Sequence, residues 1–205
     1  LGMLMVIVGG GWAAFQRHLG RIFGYAVILE VGRTLLAISL PQGTQIFFAL
    51  SLVRIVSFGV WALALSVFYA YSDELRFSAV QGMGRQFPIA TSGLILANFS
   101  LVGLPLLAGF PIYLVLWEEL ALLGVWLSIG TLLGSAGLLV AAIRSLAVLV
   151  MGPEDLPVID TSWQELGARV LLIIGVAMMF VLGLFPQWFL PLLTSLSSSL
   201  QTPVP

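Results

Sequence analysis

Residues 88–122 constrain this chain more than any other stretch, because they are apolar, longer than one membrane span and interrupted in the middle. They read Pro88-Ile-Ala-Thr-Ser-Gly-Leu-Ile-Leu-Ala-Asn-Phe-Ser-Leu-Val-Gly103-Leu-Pro105, then Leu-Leu-Ala-Gly109-Phe-Pro111, then Ile-Tyr113-Leu-Val-Leu-Trp-Glu118-Glu119. A straight helix needs only roughly 20 residues to cross a bilayer. Gly103, Pro105, Gly109 and Pro111 stand where an unbroken helix would carry Leu. Proline has no N–H to donate and clashes with the preceding turn, so carbonyls come loose inside the membrane. Lipid cannot satisfy them, and such breaks persist only where they pack in protein or line a wet cavity. In transporters, discontinuous helices mark ion pathways.

The composition is that of a membrane protein. Hydrophobic residues are 60% of the 205-residue chain and charged residues 8%, with a mean hydropathy of +1.12, whereas a soluble domain carries about 25% charged residues. All eight basic side chains are arginine, and they form no basic patch, so nucleic acid is not expected as a partner. Cysteine is absent, which excludes disulfides and thiolate metal sites. The acidic stretch 151–167 lacks regular calcium-ligand spacing. Gly9-Gly10-Gly11 lacks the strand and Lys of a phosphate loop and is expected to let helices approach closely. No catalytic nucleophile, metal site or cofactor site is expected. The chain begins at Leu1 inside an apolar run, without a signal-peptide pattern, as expected of a piece of a longer polypeptide.

The expected fold is all-α, a single transmembrane domain over residues 1–205 with about six spans. These are Leu1–Phe15, Ile22–Leu40, Gln45–Tyr71, the broken segment from Pro88 to Leu122, Val125–Val150 and Ala168–Leu193. A tight turn at residues 41–44, a polar loop at 72–87 and the acidic loop at 151–167 connect them. If the broken segment crosses once, Arg17, Arg21, Arg76 and Arg85 fall on one side, with Arg144 and Arg169 close to that boundary. The other side carries Glu118, Glu119 and the C-terminal tail, and no basic residue. The positive-inside rule makes the arginine side cytoplasmic and the C-terminus outer. Arg144 is expected to snorkel to the headgroups, and the six Trp residues suit interfacial anchoring.

Two ionisable residues sit near the midplane. Glu30 precedes the turn at 41–44 by 11 residues and Arg54 follows it by 10, so on neighbouring antiparallel helices they share a depth. A charge there facing lipid costs about 3 kcal/mol or more, and pairing removes that cost. Glu30 is then either the titrating member of a relay or half of a fixed ion pair. Arg33 lies one helical turn from Glu30 on the same face, either as its partner or as a bridge to another subunit.

Three blocks carry a resemblance to a known family. The first is Ala13-Ala-Phe-Gln16-Arg-His-Leu-Gly-Arg21-Ile-Phe-Gly-Tyr25, the second Gln81-Gly-Met-Gly84-Arg85-Gln-Phe-Pro88, and the third Ser100-Leu-Val-Gly103-Leu-Pro105-Leu-Leu-Ala-Gly109-Phe110. The chain resembles the antiporter-like membrane subunits of respiratory NADH:quinone oxidoreductase (complex I) and of multisubunit cation/proton antiporters. The third block is the most specific, close to the family's Ser-Leu-x-Gly-x-Pro-x-x-x-Gly-Phe signature. The resemblance implies the second of two inverted half-channel repeats plus a final helix, in an energy-transducing membrane of the bacterial cytoplasmic type. The implied partners are other membrane subunits, the lipid bilayer, and protons or monovalent cations. The implied role is proton or cation translocation coupled to quinone reduction elsewhere. A cation/proton antiporter or membrane-bound hydrogenase is the alternative assembly, and a non-conducting structural paralogue the alternative role.

This chain departs from the family at its ionisable positions. Where proton-translocating members place mostly Lys, it has Gly20, Arg54 and Tyr113, and the family's Asp in the first block aligns with His18. Buried lysine can trade protons near neutrality. Arginine, with a reference pKa above about 12, and tyrosine, at about 10, do so poorly. Tyr113 beside the break is therefore either a packing residue or a group that binds water. Glu118, further along the same segment, is either a solvated helix end or a substitute exit group.

Overall fold

The computed structural model describes residues 1–41, 43–152 and 164–188, without the side chains of residues 164 and 165. The described residues form eight α-helices: α1 (Gly2–Phe15), α2 (Leu19–Ile38), α3 (Gly43–Ser72), α4 (Phe77–Val80), α5 (Pro88–Val102), α6 (Gly109–Leu123), α7 (Val125–Val150) and α8 (Gln164–Leu184). A 3₁₀ turn at Met83–Arg85 precedes α5. Extended pairing among the described residues is confined to one bridge, His18 to Arg76. The protein is an all-α membrane helix bundle. α3, α7 and Leu166–Leu184 of α8 are long and apolar enough to cross a bilayer, while α1 and α5 are shorter apolar helices. The 20-residue α2 carries Arg21, Glu30 and Arg33 within its length. Glu154, Asp155 and Asp160 of the acidic stretch 151–167, and the C-terminal tail from residue 189, lie outside the described residues.

One end of the bundle gathers the arginines. The Leu19 N–H donates to Leu75 O (2.9 Å) and the Phe77 N–H to Arg17 O (3.0 Å), which pins the α1–α2 turn to the segment after α3. The Gly82 N–H donates to Val148 O (3.0 Å), bringing the end of α7 to the same place. Arg169 lines a cavity with Gln86 and Pro88. Arg17, Arg21, Arg76, Arg85, Arg144 and Arg169 therefore share one end, as the sequence pattern predicts. Arg144 is not spent on headgroups. It donates to the Ala14 carbonyl, an acceptor that helix α1 leaves unpaired at its C-terminus, and its guanidinium lies 5.8 Å from the Phe77 ring centroid. Trp61 likewise departs from the interfacial pattern: it is buried, edge-on to Phe23 at 5.3 Å and beside Phe58 at 6.3 Å. Residues 72–87 are more ordered than a polar loop, because Val80, Met83 and Phe87 turn inward.

The same connections decide how the broken segment runs. α5 starts at the arginine end and α7, a continuous 26-residue helix, finishes there. α7 spans roughly 39 Å at 1.5 Å per residue, so it starts at the opposite end, where α6 delivers the chain. α5 and α6 have 15 residues each, roughly 22 Å, and neither spans the core alone. Together they make one crossing. α6 does not continue coaxially: Gly109 lies against the Ser100 carbonyl, and Tyr113 and Trp117 pack on Gly103. The chain steps sideways beside the last turn of α5 and then proceeds in the same direction.

Glycines also set the packing of α1. A methyl group on Gly10 would meet the backbone of Gly134, and one on Gly9 the backbone of Tyr25 and Leu29. α1 thus sits in backbone contact with both α7 and α2, the close approach that small residues permit in membranes. Gly11 faces open space.

Candidate functional site

The break spans residues 103–108, with α5 ending at Val102 and α6 opening at Gly109. Gly103 caps α5 in the left-handed region (φ 89°), and its N–H donates to Phe99 O at 3.1 Å. This is the conformation that glycine adopts without a Cβ penalty. Leu106 shares that region (φ 73°) and, having a Cβ, is strained. Of the four expected breakers, Gly103 and Pro105 lie in the gap. Gly109 is the first residue of α6 and Pro111 the third, where a missing N–H interrupts no helical hydrogen bond. The gap is also less enclosed than expected: Leu107 and Ala108 are buried, but Pro105 and Leu106 are exposed on this chain.

Pro105 determines which carbonyl is released. In a continuous helix Leu101 O would accept from residue 105, and proline offers no N–H. Arg33 Nη1 takes that acceptor at 2.6 Å. The same guanidinium donates to Glu30 Oε1 and, through Nη2, to Ser135 Oγ at 2.5 Å. Its Cζ stands 4.2 Å from the centroid of the Tyr113 ring, in cation–π geometry. Arg33 is completely buried, yet it touches α2, α5, α6 and α7. The C-terminal end of α5, negative by its dipole, faces this cation.

Glu30 brings in α3. Arg54 Nε donates to Glu30 Oε2 at 2.8 Å, and Arg54 Nη2 to the Glu30 carbonyl at 2.9 Å. Glu30 is 1% exposed, and the Arg54 side chain 15%. Depth matching across the 41–44 turn therefore predicts a real pair, and both proposed partners of Glu30 hold it at once. The cluster contains one carboxylate and two guanidinium groups. The Tyr113 hydroxyl is buried beside Glu30 and Arg33, and its ring carries the Arg33 guanidinium on its face. Trp117 stacks on Tyr113, with ring centroids 6.2 Å apart. Glu118 does not join this cluster. It is exposed, toward the end of α6 remote from the arginines.

Two contributors are not visible in the sequence as site residues. Ser135 reads as one small residue among many in α7, and only its distance to Arg33 singles it out. The Leu101 carbonyl belongs to the backbone; the signal that could have found it is Pro105, four residues on.

A membrane bundle with a helix broken at mid-depth, its freed carbonyl met by a buried charge cluster, belongs to the class of discontinuous-helix membrane subunits. More narrowly, the chain belongs to the NADH:quinone oxidoreductase/Mrp antiporter transmembrane family, whose model matches residues 1–139. It is similar to NADH-quinone oxidoreductase subunit N of Acinetobacter baumannii (strain AB0057), 28% identical over 196 residues, with 91% of this chain and 39% of the relative covered. It is also similar to subunit N of Ectopseudomonas mendocina (strain ymp), 28% identical over 197 residues, covering 91% and 40%. Respiratory complex I from Thermus thermophilus with bound aureothin holds a chain that superposes with a TM-score of 0.76 at 27% identity, over 93% of this chain and 44% of that one. The Mrp complex from Dietzia sp. DQ12-45-1b shares the fold at a TM-score of 0.82 and 15% identity, over 99% and 46%. The chain spans about 40% of the length of the curated relatives it matches.

Proposed function

We propose that this chain is part of a membrane subunit of an NADH:quinone oxidoreductase-type complex, contributing to proton or cation translocation coupled to quinone reduction elsewhere in that complex. Family membership and the relatives named subunit N support this reading over an antiporter or hydrogenase assembly. The coverage of those relatives fits a segment that corresponds to the second half-channel repeat and a final helix, with a first repeat outside residues 1–205.

Within that assembly, the Glu30–Arg33–Arg54 cluster is a fixed joint rather than a proton carrier. One observation carries this: both carboxylate oxygens of Glu30 are engaged by arginines, which keep their protons at any physiological pH. The non-conducting reading of this half draws on the same observation. Tyr113 then serves as packing for Arg33, and Glu118 as a solvated helix end. The test is made on the complex purified with this chain tagged and reconstituted in liposomes. The tagged chain should co-purify with other membrane subunits, and its deletion should lower protons moved per electron while quinone reduction persists. Unchanged pumping and unchanged subunit composition would sink the assignment.

The arginine end is assigned to the cytoplasmic face, because six arginines gather there and short basic loops are retained on that side. Alternation of the spans then directs the C-terminus outward. A reporter fused after Pro205 should be active only when it works outside the cytoplasm; cytoplasmic reporter activity would reverse the orientation.

A further inference from the structure

We propose that the groove between α1 and α2 at the arginine end binds one anionic phospholipid, with its phosphate on Arg21 and one acyl chain lying along the groove. The groove is open to the surface, about 540 Å³ in volume, and is lined by Trp12, Gln16, Arg21, Gly24, Tyr25 and Ile28. Its order along the membrane normal is that of a lipid. Trp12 lies on α1 and Gln16 directly follows its end, while Arg21, Gly24, Tyr25 and Ile28 share one face of α2, at the three- and four-residue spacings that stack side chains on a helix. The polar groups of Arg21 and Gln16 stand at the turn, and Ile28 lies roughly 10 Å deeper. Below the groove the exposed faces continue with Leu4 and Val8 on α1 and Val31 and Leu35 on α2.

The charge selects the headgroup. The Arg21 backbone N–H donates to His18 O, but its guanidinium has no ion-pair or hydrogen-bond partner among the described residues, and a guanidinium matches a phosphate with two parallel N–H bonds. No carboxylate lines the groove to receive a choline or ethanolamine cation. A second apolar cavity at this end, between α3, α5 and α8, differs in this respect, since its polar residues Gln86 and Arg169 already have partners. Gly24 forms the floor. A Cβ built there meets nothing within 4 Å, so the space above it is open and a larger side chain would occupy it without disturbing the helices.

The experiment uses the full-length protein purified in its native assembly, stripped with detergent and returned to nanodiscs of either phosphatidylglycerol or phosphatidylcholine. Retained lipids are then counted by native mass spectrometry. The parent should retain one more phosphatidylglycerol than Arg21→Gln or Gly24→Leu, with all three equally assembled, and phosphatidylcholine should not substitute. Equal lipid counts in the three proteins, equal retention of phosphatidylcholine, or displacement of the retained molecule by excess inorganic phosphate would each overturn the proposal. The chain has no cysteine, so Gly24→Cys supplies a single thiol in this segment. Its labelling by a lipid-soluble maleimide should be blocked by phosphatidylglycerol, whereas crosslinking of that thiol to a neighbouring subunit would show that protein, not lipid, fills the groove.

Discussion

Replacing Glu30 with Gln should reduce the amount of assembled complex severalfold. The change removes the only carboxylate of the cluster and leaves Arg33 and Arg54 facing each other in a site where Arg33 is completely buried. Taking one member out of a buried ion pair typically costs about 3–5 kcal/mol, because the remaining charge is uncompensated. A loss of only 1–2 kcal/mol already changes cellular abundance several-fold. Arg54→Leu should be milder, since it leaves the neutral Glu30–Arg33 pair in place and removes a side chain that is partly exposed. The double variant Glu30→Gln/Arg54→Leu should assemble better than Glu30→Gln alone, because the second change removes the like-charge repulsion exposed by the first. Arg33→Leu should be as damaging as Glu30→Gln, because it also strips the Leu101 carbonyl and Ser135 of their donor. Assembly on native gels and proton uptake in liposomes, measured on the same variants, separate two readings. A relay residue would give Glu30→Gln that assembles normally and reduces quinone but no longer pumps. If the single variants assemble and pump like the parent, Glu30 and Arg54 are neither joint nor relay.

The spans, the break and the Glu30–Arg54 pair are legible in the sequence because each follows from a one-dimensional quantity. Apolar length sets the helices, proline and glycine set the break, and distance from a turn sets depth. The sorting of six arginines to one end follows from the same alternation. What the sequence does not show depends on rotation about helix axes. Depth alone leaves Arg33 equally able to face Glu30 or a neighbouring subunit; the structure shows that it reaches across to α5, α6 and α7. Trp61 and Arg144 fail as interfacial residues for a related reason. The expectation for Trp61 rests on residue type and that for Arg144 on distance from the helix end, whereas Trp61, deep in α3, is turned into an aromatic cluster and Arg144 toward an unpaired carbonyl. Pro111 reads as a breaker because the pattern cannot distinguish a proline in a helix interior from one in a first turn.

Gly109→Val should prevent normal assembly, and Gly109→Ala should already impair it. A Cβ at residue 109 falls on the Ser100 carbonyl and against the Tyr113 ring, so two backbones in contact would have to separate. The cost of forcing a group into a packed site is typically about 1–3 kcal/mol, and here it has a second consequence. Moving α6 off the last turn of α5 carries Tyr113 away from Arg33 and shifts the Leu101 carbonyl that Arg33 holds. Gly59→Ala is the matched control, because a Cβ at residue 59 meets nothing within 4 Å and alanine favours a helix interior by about 1 kcal/mol. The temperature at which the purified complex is inactivated should therefore drop for Gly109→Ala and stay level or rise for Gly59→Ala. Equal behaviour of the two would show that α6 has room to move at its start. In that case a Gly109→Ala complex that assembles fully but pumps poorly would mark the break as a moving part, and the buried arginine cluster as the clamp on one of its positions.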